Sequence, residues 1–190
     1  MSKEKTAVKM QLDRDFVTRL TVTLLTICAV VACLLAVVNS VTKPKIAAMQ
    51  AEKTKAAMSQ VLAADEYQPL EAAAANVTEM YQAISGGQPV GYVVMVTTNG
   101  FGGAISMVVG VDLEGCVTGV AVTDQSETAN LGTKVVENQE VLDRFIGMSH
   151  ANGEITVNSG ENRFDGISGA TVSSRGVTAG VNSALAAINQ

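Results

Sequence analysis

The chain of 190 residues is long enough for one domain of ordinary size together with an anchor, and its formal net charge at pH 7 is -5. Basic residues outnumber acidic ones only up to Arg19, and acidic residues predominate from Leu20 onward. This argues against nucleic-acid binding, because phosphate neutralisation requires clustered Lys and Arg, and base stacking requires aromatic side chains, which are only 4% of the chain. A single histidine and three cysteines without a Cys-x-x-Cys motif also predict no protein-ligated metal site.

A basic head of residues 1–19 precedes an uncharged, mostly apolar stretch of residues 20–42. At about 1.5 Å per residue, a helix of this length spans the roughly 30 Å hydrocarbon core of a bilayer. A cleaved signal peptide has a shorter apolar region, and the lipoprotein-like Cys33 is followed by a further apolar run over residues 34–38. We therefore predict an uncleaved single-pass transmembrane helix. The slight excess of Lys and Arg before it predicts a cytoplasmic N-terminus.

Residues 43–70 are predicted to form a stalk helix and a linker. Pro44 is expected to interrupt the chain just beyond the membrane. A run rich in Ala, Met, Lys and Gln then favours a helix from Lys45 to about Ala63, with a patchy apolar stripe for packing on the domain or on a neighbour. Residues 67–70 are interpreted as a break in regular structure.

From Val77 the pattern changes to strands and then to helices, which predicts an α+β domain of antiparallel hairpins packed with helices over residues 71–190. Two hairpins are expected, one from residues 77–84 and 90–96 and the other from residues 104–111 and 116–122. The other predicted segments are a glycine-rich bend over 99–103, a polar loop over 124–133, a helix over 134–146, a short strand over 155–157 and a closing helix over 173–188.

The stretch with the clearest chemical character is Asp165-Gly166-Ile167-Ser168-Gly169-Ala170-Thr171, which leads into the closing helix. Its glycines allow positive φ and a close backbone approach to a ligand. Its hydroxyls cluster at a helix start, where unpaired N–H groups suit an anion such as phosphate. An ordinary Ser/Thr-capped helix start after a glycine turn explains these residues equally well. The stretch is therefore a candidate phosphate site, and the sequence offers no catalytic residue.

The same residues resemble the flavinylation motif of FMN-binding domains, Asp-x-x-Ser/Thr-Gly-Ala-Thr, in which the last Thr carries FMN through a phosphoester bond. The resemblance implies that Thr171 is the bonded residue. It also implies that Asp165 belongs to the signal read by a separate Mg-dependent flavin transferase that uses FAD, although a turn-stabilising Asp is the alternative. Phosphate oxygens would be held by Ser168 and by N–H groups around Gly169, Ala170 and Val172.

The order of basic head, membrane helix, stalk and one such domain resembles the RnfG family, the G subunits of the Rnf (Rsx) ion-translocating electron-transport complexes. Residues 100–105 and 108–112 are similar to the family's Gly-aromatic-Gly-Gly segment and following strand. Residues 126–132 are similar to its Glu-Thr-Pro-Gly-Leu-Gly loop, with Ala129 and Asn130 in place of Pro and Gly. By analogy the candidates for contact with the flavin ring are Leu131, Gly132, Thr133 and Lys134, followed by Glu127 and Thr128. A solvated position at a helix start is an equal alternative for Lys134.

What the resemblance implies is an electron-carrying flavoprotein subunit of a membrane-bound ferredoxin:NAD+ oxidoreductase, with one covalent FMN. Its partners would be the other membrane and peripheral subunits of the Rnf complex and, during maturation, the flavin transferase. The domain of residues 71–190 would lie outside the cytoplasm of a bacterial or archaeal cell. The alternatives are the C subunit of the sodium-translocating NADH:quinone reductase, which is typically longer, and a membrane-anchored binding module without a redox role.

Overall fold

A computed structural model describes residues 14–71 and 74–188 of the chain. Most of the predicted basic head, residues 1–13, lies outside the described residues. The chain divides into two compact units, residues 1–49 and residues 50–190.

The described part of the first unit, residues 14–49, belongs to helix α1, which runs from Arg14 to Val61 in total. Within the described residues, α1 is the one helix that is long and apolar enough to cross a membrane. Three threonines of its apolar part are satisfied inside the helix: Thr21, Thr23 and Thr26 each donate from Oγ1 to the carbonyl four residues earlier, at 2.8–2.9 Å. A bilayer offers no other partner for such groups, so these bonds suit a membrane-spanning segment.

The predicted interruption at Pro44 is wrong, because Pro44 lies inside α1. Proline removes one backbone hydrogen bond, the one that its own N–H would donate to the carbonyl of Ser40. The residues after it are strong helix formers, mainly Ala, Met, Lys, Gln and Glu, so the helix continues past this single missing bond to Val61. The predicted stalk is therefore the C-terminal part of the same helix.

The second unit is built on a five-stranded antiparallel sheet in the order β1-β2-β3-β4-β5. The strands are β1 (Glu66–Leu70), β2 (Val77–Ser85), β3 (Gln88–Asn99), β4 (Ala104–Asp112) and β5 (Val117–Gln125). The two predicted hairpins, β2–β3 and β4–β5, are confirmed, and pairing of β3 with β4 joins them into one meander.

The predicted break over residues 67–70 is wrong, because strand β1 occupies it and pairs with β2. Pro69 lies opposite Tyr81 in this pairing. A proline has no backbone N–H to donate to a neighbouring strand. It is tolerated here because β1 is an edge strand, which pairs on one side only.

After β5 the chain forms short helices, a second small sheet and one long helix. Helices α2 (Thr133–Val136) and α3 (Gln139–Leu142) are followed by 3-10 turns at Asp143–Phe145 and His150–Asn152. A two-stranded parallel sheet pairs β6 (Thr156–Val157) with β7 (Arg163–Phe164). Helix α4 (Thr171–Ile188) closes the chain and begins two residues earlier than the sequence predicts.

The single helix predicted over residues 134–146 is wrong, because Asn138 divides it. Asn138 has an extended backbone, with φ -95° and ψ 105°, and its side chain accepts a hydrogen bond from the N–H of Glu140 at 3.0 Å. A side chain that caps its own backbone in this way starts a new helix, which is why Asn favours caps over helix interiors.

The sheet is covered on both faces. On one face α4 packs on β3 and β4, where its Val177 and Val181 join buried residues such as Val96 and Met107. On the other face Ala57, Met58 and Val61, at the end of α1, pack against residues of alternate parity, including Val93 and Val108. This alternation is what a strand buried on both faces produces.

Two glycines allow the end of α1 to lie directly on the sheet. A Cβ on Gly110 would stand 2.6 Å from the carbonyl oxygen of Val61 and 2.5 Å from Oγ1 of Thr118. A Cβ on Gly119 would stand 3.0 Å from the Cα of Val61. The Thr118 hydroxyl donates to the Val61 carbonyl at 2.7 Å and so satisfies one of the helix-end carbonyls that have no partner within α1.

This contact predicts that Gly110→Ala lowers the free energy of unfolding by about 1–3 kcal/mol, because the added methyl group must displace α1 or Thr118. Urea unfolding of the full chain in detergent, read by pulse proteolysis, measures the change. The matched control is Leu113→Ala in the exposed β4–β5 turn, which should change the free energy by less than about 0.5 kcal/mol. Equal effects of the two variants would contradict the proposed close contact.

Candidate functional site

Three segments that are distant in sequence meet around a cavity of about 280 Å³. They are the bend after β3, the loop before α2 and the start of α4. The residues that line the cavity are Phe101, Leu131, Gly132, Gly169, Ala170, Thr171, Val172 and Ser173. A larger groove of about 690 Å³ lies beside the end of α1. The smaller cavity is the candidate site because the end of the candidate phosphate site, residues 169–171, forms one of its walls.

The start of α4 presents a hydroxyl beside unbonded N–H groups. Gly169 has φ +83°, and Thr171 follows as the first residue of the helix with its side chain exposed. The first bond inside the helix runs from the N–H of Ser174 to the carbonyl of Ala170, at 2.9 Å. Within the described part of the chain, no acceptor bonds the N–H groups of residues 171–173. This end of α4 therefore offers an anion both free donors and the positive end of the helix dipole.

The loop before α4 is held by hydrogen bonds to Ser174 and Asn158. The buried hydroxyl of Ser174 accepts a bond from the N–H of Ile167 at 3.2 Å. The N–H of Gly166 donates to Oδ1 of Asn158 at 2.9 Å, and a Cβ on Gly166 would stand 2.9 Å from the side chain of Val157. These contacts leave the loop little freedom, so the Thr171 hydroxyl projects from a defined place.

Asp165 lies outside the cavity, and its carboxylate stays accessible. Its Oδ1 pairs with Nε of Arg163 at 2.8 Å, and both side chains are more than half exposed. Its backbone carbonyl accepts a bond from Nη1 of Arg144 at 2.9 Å. An exposed ion pair of this kind contributes about 0–1 kcal/mol, so the carboxylate can exchange Arg163 for another partner at little cost.

The loop before α2 forms the second wall and is organised by the carbonyl of Thr128. This oxygen accepts bonds from the N–H groups of Leu131, Gly132 and Thr133 at 3.1–3.4 Å. Asn130 has φ +62°, in the left-handed region that glycine favours and that Asn tolerates better than other residues. Asn at this position therefore adopts a backbone conformation that a glycine would also favour.

The bend after β3 forms the third wall and is held by a carboxylate. The N–H of Phe101 donates to Oε1 of Glu127 at 2.8 Å, and the N–H of Gly102 donates to Oε2 at 3.2 Å. The N–H of Gly100 closes the bend by bonding the carbonyl of Gly103 at 2.8 Å. As a result, the side chain of Phe101 stands at the mouth of the cavity, 69% exposed.

Comparisons with known proteins assign a family to this arrangement. Residues 100–186 match the model of the FMN-binding domain, and residues 10–61 match that of the RnfG N-terminal region. The chain is 34% identical to the G subunit of the Na+-translocating ferredoxin:NAD+ oxidoreductase complex of Acetobacterium woodii, over 95% of this chain and 96% of that relative. It is 33% identical to the G subunit of the ion-translocating oxidoreductase complex of Methanosarcina acetivorans, over 91% and 95% of the two chains. The chain belongs to the RnfG family.

A solved structure with a similar chain is the C subunit of the Na+-translocating NADH-quinone reductase from Parabacteroides distasonis. It is 25% identical with a TM-score of 0.47, over 58% of this chain and 60% of that one.

The candidate residues taken from the RnfG resemblance divide into two groups in the structure. The first group lines the cavity and contains Leu131, Gly132, Gly169, Ala170, Thr171 and Val172. The second group lies around the cavity without lining it and contains Glu127, Thr128, Thr133, Lys134, Asp165 and Ser168. Of these, Thr133 accepts the N–H of Asn130 on its Oγ1 at 3.0 Å, so its hydroxyl supports the wall loop.

Phe101 and Ser173 line the cavity but are not among the candidate residues. An aromatic side chain flanked by glycines, in an otherwise aromatic-poor sequence, is the signal that could have pointed to Phe101. Ser173 is buried near the start of α4, and only the packing of that helix reveals its place in the wall.

The positive φ of Asn130, in the loop before α2, predicts different outcomes for two substitutions of this residue. Asn130→Val should lower the free energy of unfolding by about 1–2 kcal/mol, because a β-branched residue is strained at positive φ, whereas Asn130→Gly should be neutral or slightly stabilising. Ala129→Val, at the neighbouring exposed position, is the control for adding an apolar side chain to this loop. Urea unfolding distinguishes the three, and a cost of Ala129→Val as large as that of Asn130→Val would argue against strain at residue 130.

Proposed function

We propose that this chain is the electron-carrying flavoprotein subunit of a membrane-bound, ion-translocating ferredoxin:NAD+ oxidoreductase complex of the Rnf type. Its FMN would be bonded through a phosphoester to Oγ1 of Thr171. The observation that carries the proposal is the exposed Thr171 hydroxyl at the start of α4, beside a cavity with apolar walls, in a region that matches the FMN-binding domain.

The residues around the cavity fit the two ends of FMN. The N–H groups of residues 171–173 are donors for a phosphate ester on Thr171, and the helix dipole favours its negative charge. Phe101, Leu131 and Val172 are exposed apolar side chains at the cavity, and an isoalloxazine ring requires walls of this kind. When bound, FMN supplies one- and two-electron transfer, while the chain contributes attachment and orientation.

Attachment from FAD needs one new bond and one broken bond. Oγ1 of Thr171 would form a bond to the phosphorus next to riboflavin, the pyrophosphate bond of FAD would break, and AMP would leave. The hydroxyl proton would pass to a base of the separate Mg-dependent flavin transferase. Asp165 suits the recognition signal for that enzyme, because its carboxylate is exposed and is held only by the ion pair with Arg163.

The partners in this proposal are the other membrane and peripheral subunits of the complex. The apolar part of α1 would anchor the chain in the membrane, with the N-terminus in the cytoplasm and residues 71–190 outside it. A flavin that dissociates outside the cytoplasm is difficult to replace, and a bond to Thr171 prevents that loss.

The decisive test is the chemical state of Thr171. In cells that contain the flavin transferase, the wild-type chain should carry one FMN on the peptide that contains Thr171, and Thr171→Ala should carry none. Intact-mass spectrometry and flavin fluorescence in a denaturing gel measure both. Ser159→Ala, at an exposed position outside the motif, should carry FMN as the wild type does and controls for a general effect of substitution in this region.

A wild-type peptide from such cells that carries no FMN would refute covalent attachment at Thr171. A colourless protein would instead favour a non-redox binding module, and co-purification with components of the NADH:quinone reductase would favour the C subunit of that enzyme.

The proposed topology predicts different labelling of two engineered cysteines in a chain with Cys116→Ser. Glu161→Cys, in the exposed loop between β6 and β7, should react with a membrane-impermeant maleimide in intact spheroplasts. Lys5→Cys, in the predicted basic head, should react only after lysis. Labelling of Lys5→Cys in intact spheroplasts, with Glu161→Cys protected, would reverse the orientation.

A further inference from the structure

The carboxylate of Glu127 lies between two walls of the cavity. It accepts the N–H groups of Phe101 and Gly102 from the bend after β3, at 2.8 and 3.2 Å. It also packs against Gly132 of the opposite wall. Two consecutive backbone N–H groups that converge on one anion form a nest, and here the anion is a side chain of the protein itself.

A side chain larger than that of glycine on either side would displace this carboxylate. A Cβ on Gly100 would overlap Oε1 of Glu127, and a Cβ on Gly132 would overlap Oε2. Neither glycine has a positive φ, so a need for left-handed backbone does not explain them. Their common property is that they leave space for the Glu127 side chain.

The walls depend on Glu127 because packing alone cannot hold them. The side chains of Phe101 and Leu131 are 69% and 48% exposed, so they make few contacts that could fix their position. Within the described residues no Lys or Arg pairs with Glu127. Its strong interactions are therefore the two charge-assisted bonds to the bend.

We propose that Glu127 is a positioning residue of the flavin site, whose carboxylate holds Phe101 opposite Leu131 and so sets how far the flavin ring is enclosed. This inference rests on the proposed function. It assigns Glu127 no direct contact with the ring, since Glu127 does not line the cavity.

Hydrogen exchange tests the bracing without needing a flavin. In Glu127→Gln the amides of Phe101 and Gly102 should exchange at least about tenfold faster, because a hydrogen bond to a charged acceptor is replaced by one to a neutral amide. Glu140→Gln, an exposed glutamate of α3, removes the same charge and should leave these amides unchanged. Amides at the centre of β3 and β4 report in the same data whether the sheet remains folded. Both variants can be measured in a Thr171→Ala chain.

Iodide quenching of flavin fluorescence tests the consequence for the cofactor in the full flavinylated chain. Glu127→Gln should increase the quenching constant by about two- to threefold, because the ring loses the fixed Phe101 wall, and Glu140→Gln should not. Phe101→Ala should give a similar increase. Adding Glu127→Gln to Phe101→Ala should then change little, since a residue that acts through Phe101 has no effect once Phe101 is absent.

Three results would overturn the inference. The first is unchanged exchange at Phe101 and Gly102 in Glu127→Gln. The second is faster exchange throughout β3 and β4, which would make Glu127 a general stability residue. The third is a full effect of Glu127→Gln on quenching in the Phe101→Ala background. If Glu127→Gln does not fold, Gly132→Ala displaces the same carboxylate from the other side and should give the same exchange pattern.

A wild-type chain that carries no flavin would instead refute the proposed function, and the quenching experiment could then not be done. The exchange arm would still decide whether Glu127 holds the bend. The two failures are thus distinguishable.

Discussion

The close approach of α4 to the end of β3 determines where the site is. The buried hydroxyl of Thr98 donates to the carbonyl of Gly176 at 2.9 Å, and a Cβ on Gly176 would stand 2.7 Å from the carbonyl oxygen of Asn99. The second turn of α4 can therefore lie against β3 only because residue 176 is glycine. Thr171 is five residues earlier, which is about one and a half helical turns. Together with the hydrogen bonds of the loop before α4, this contact fixes the place from which the Thr171 hydroxyl projects.

Antiparallel pairing brings the other two walls to the same place. Asn99 at the end of β3 pairs with Ala104, and Ile105 at the start of β4 pairs with Gln125 at the end of β5. The bend after β3 and the loop after β5 must therefore lie at the same end of the strands, although more than twenty residues separate them in the sequence. Glu127, two residues beyond β5, is then within reach of the bend. The sheet acts as a rigid platform, and the site is assembled from its connections.

The local parts of this architecture could be predicted from the sequence, and the long-range parts could not. The β-branched runs of β3 and β4 and the hydroxyls before α4 indicate strands and an anion-binding helix start within a few residues of each other. The predictions at Pro44, Pro69 and Asn138 are wrong, because the outcome depends on what surrounds each residue. Pro44 has strong helix-forming sequence on both sides, and Pro69 lies in an edge strand. Asn138 caps the helix that follows it with its own side chain.

The candidate site shows the same division. The phosphate loop is continuous in sequence and its place at the start of α4 follows from the motif. The role of Phe101 as a wall depends on the docking of α4 on β3, and the contact of Glu127 with the bend depends on the register of β3, β4 and β5. No pattern within a single segment contains that information. Only a comparison between segments, such as the glycines at residues 100 and 132 on either side of one carboxylate, could have suggested it.

Under the proposed function, the exposure of the cavity is a physical reason to bond the cofactor covalently. The apolar side chains at the cavity, Phe101, Leu131 and Val172, are about half exposed or more. A site of this kind buries little of a flavin ring, so non-covalent contacts alone would hold FMN weakly. An electron carrier gains from the same exposure, because its ring remains accessible to the donor and acceptor of electrons. Under the proposed function, the bond to Thr171 retains the cofactor, and the walls held by Glu127 are left to orient a ring that is never fully enclosed.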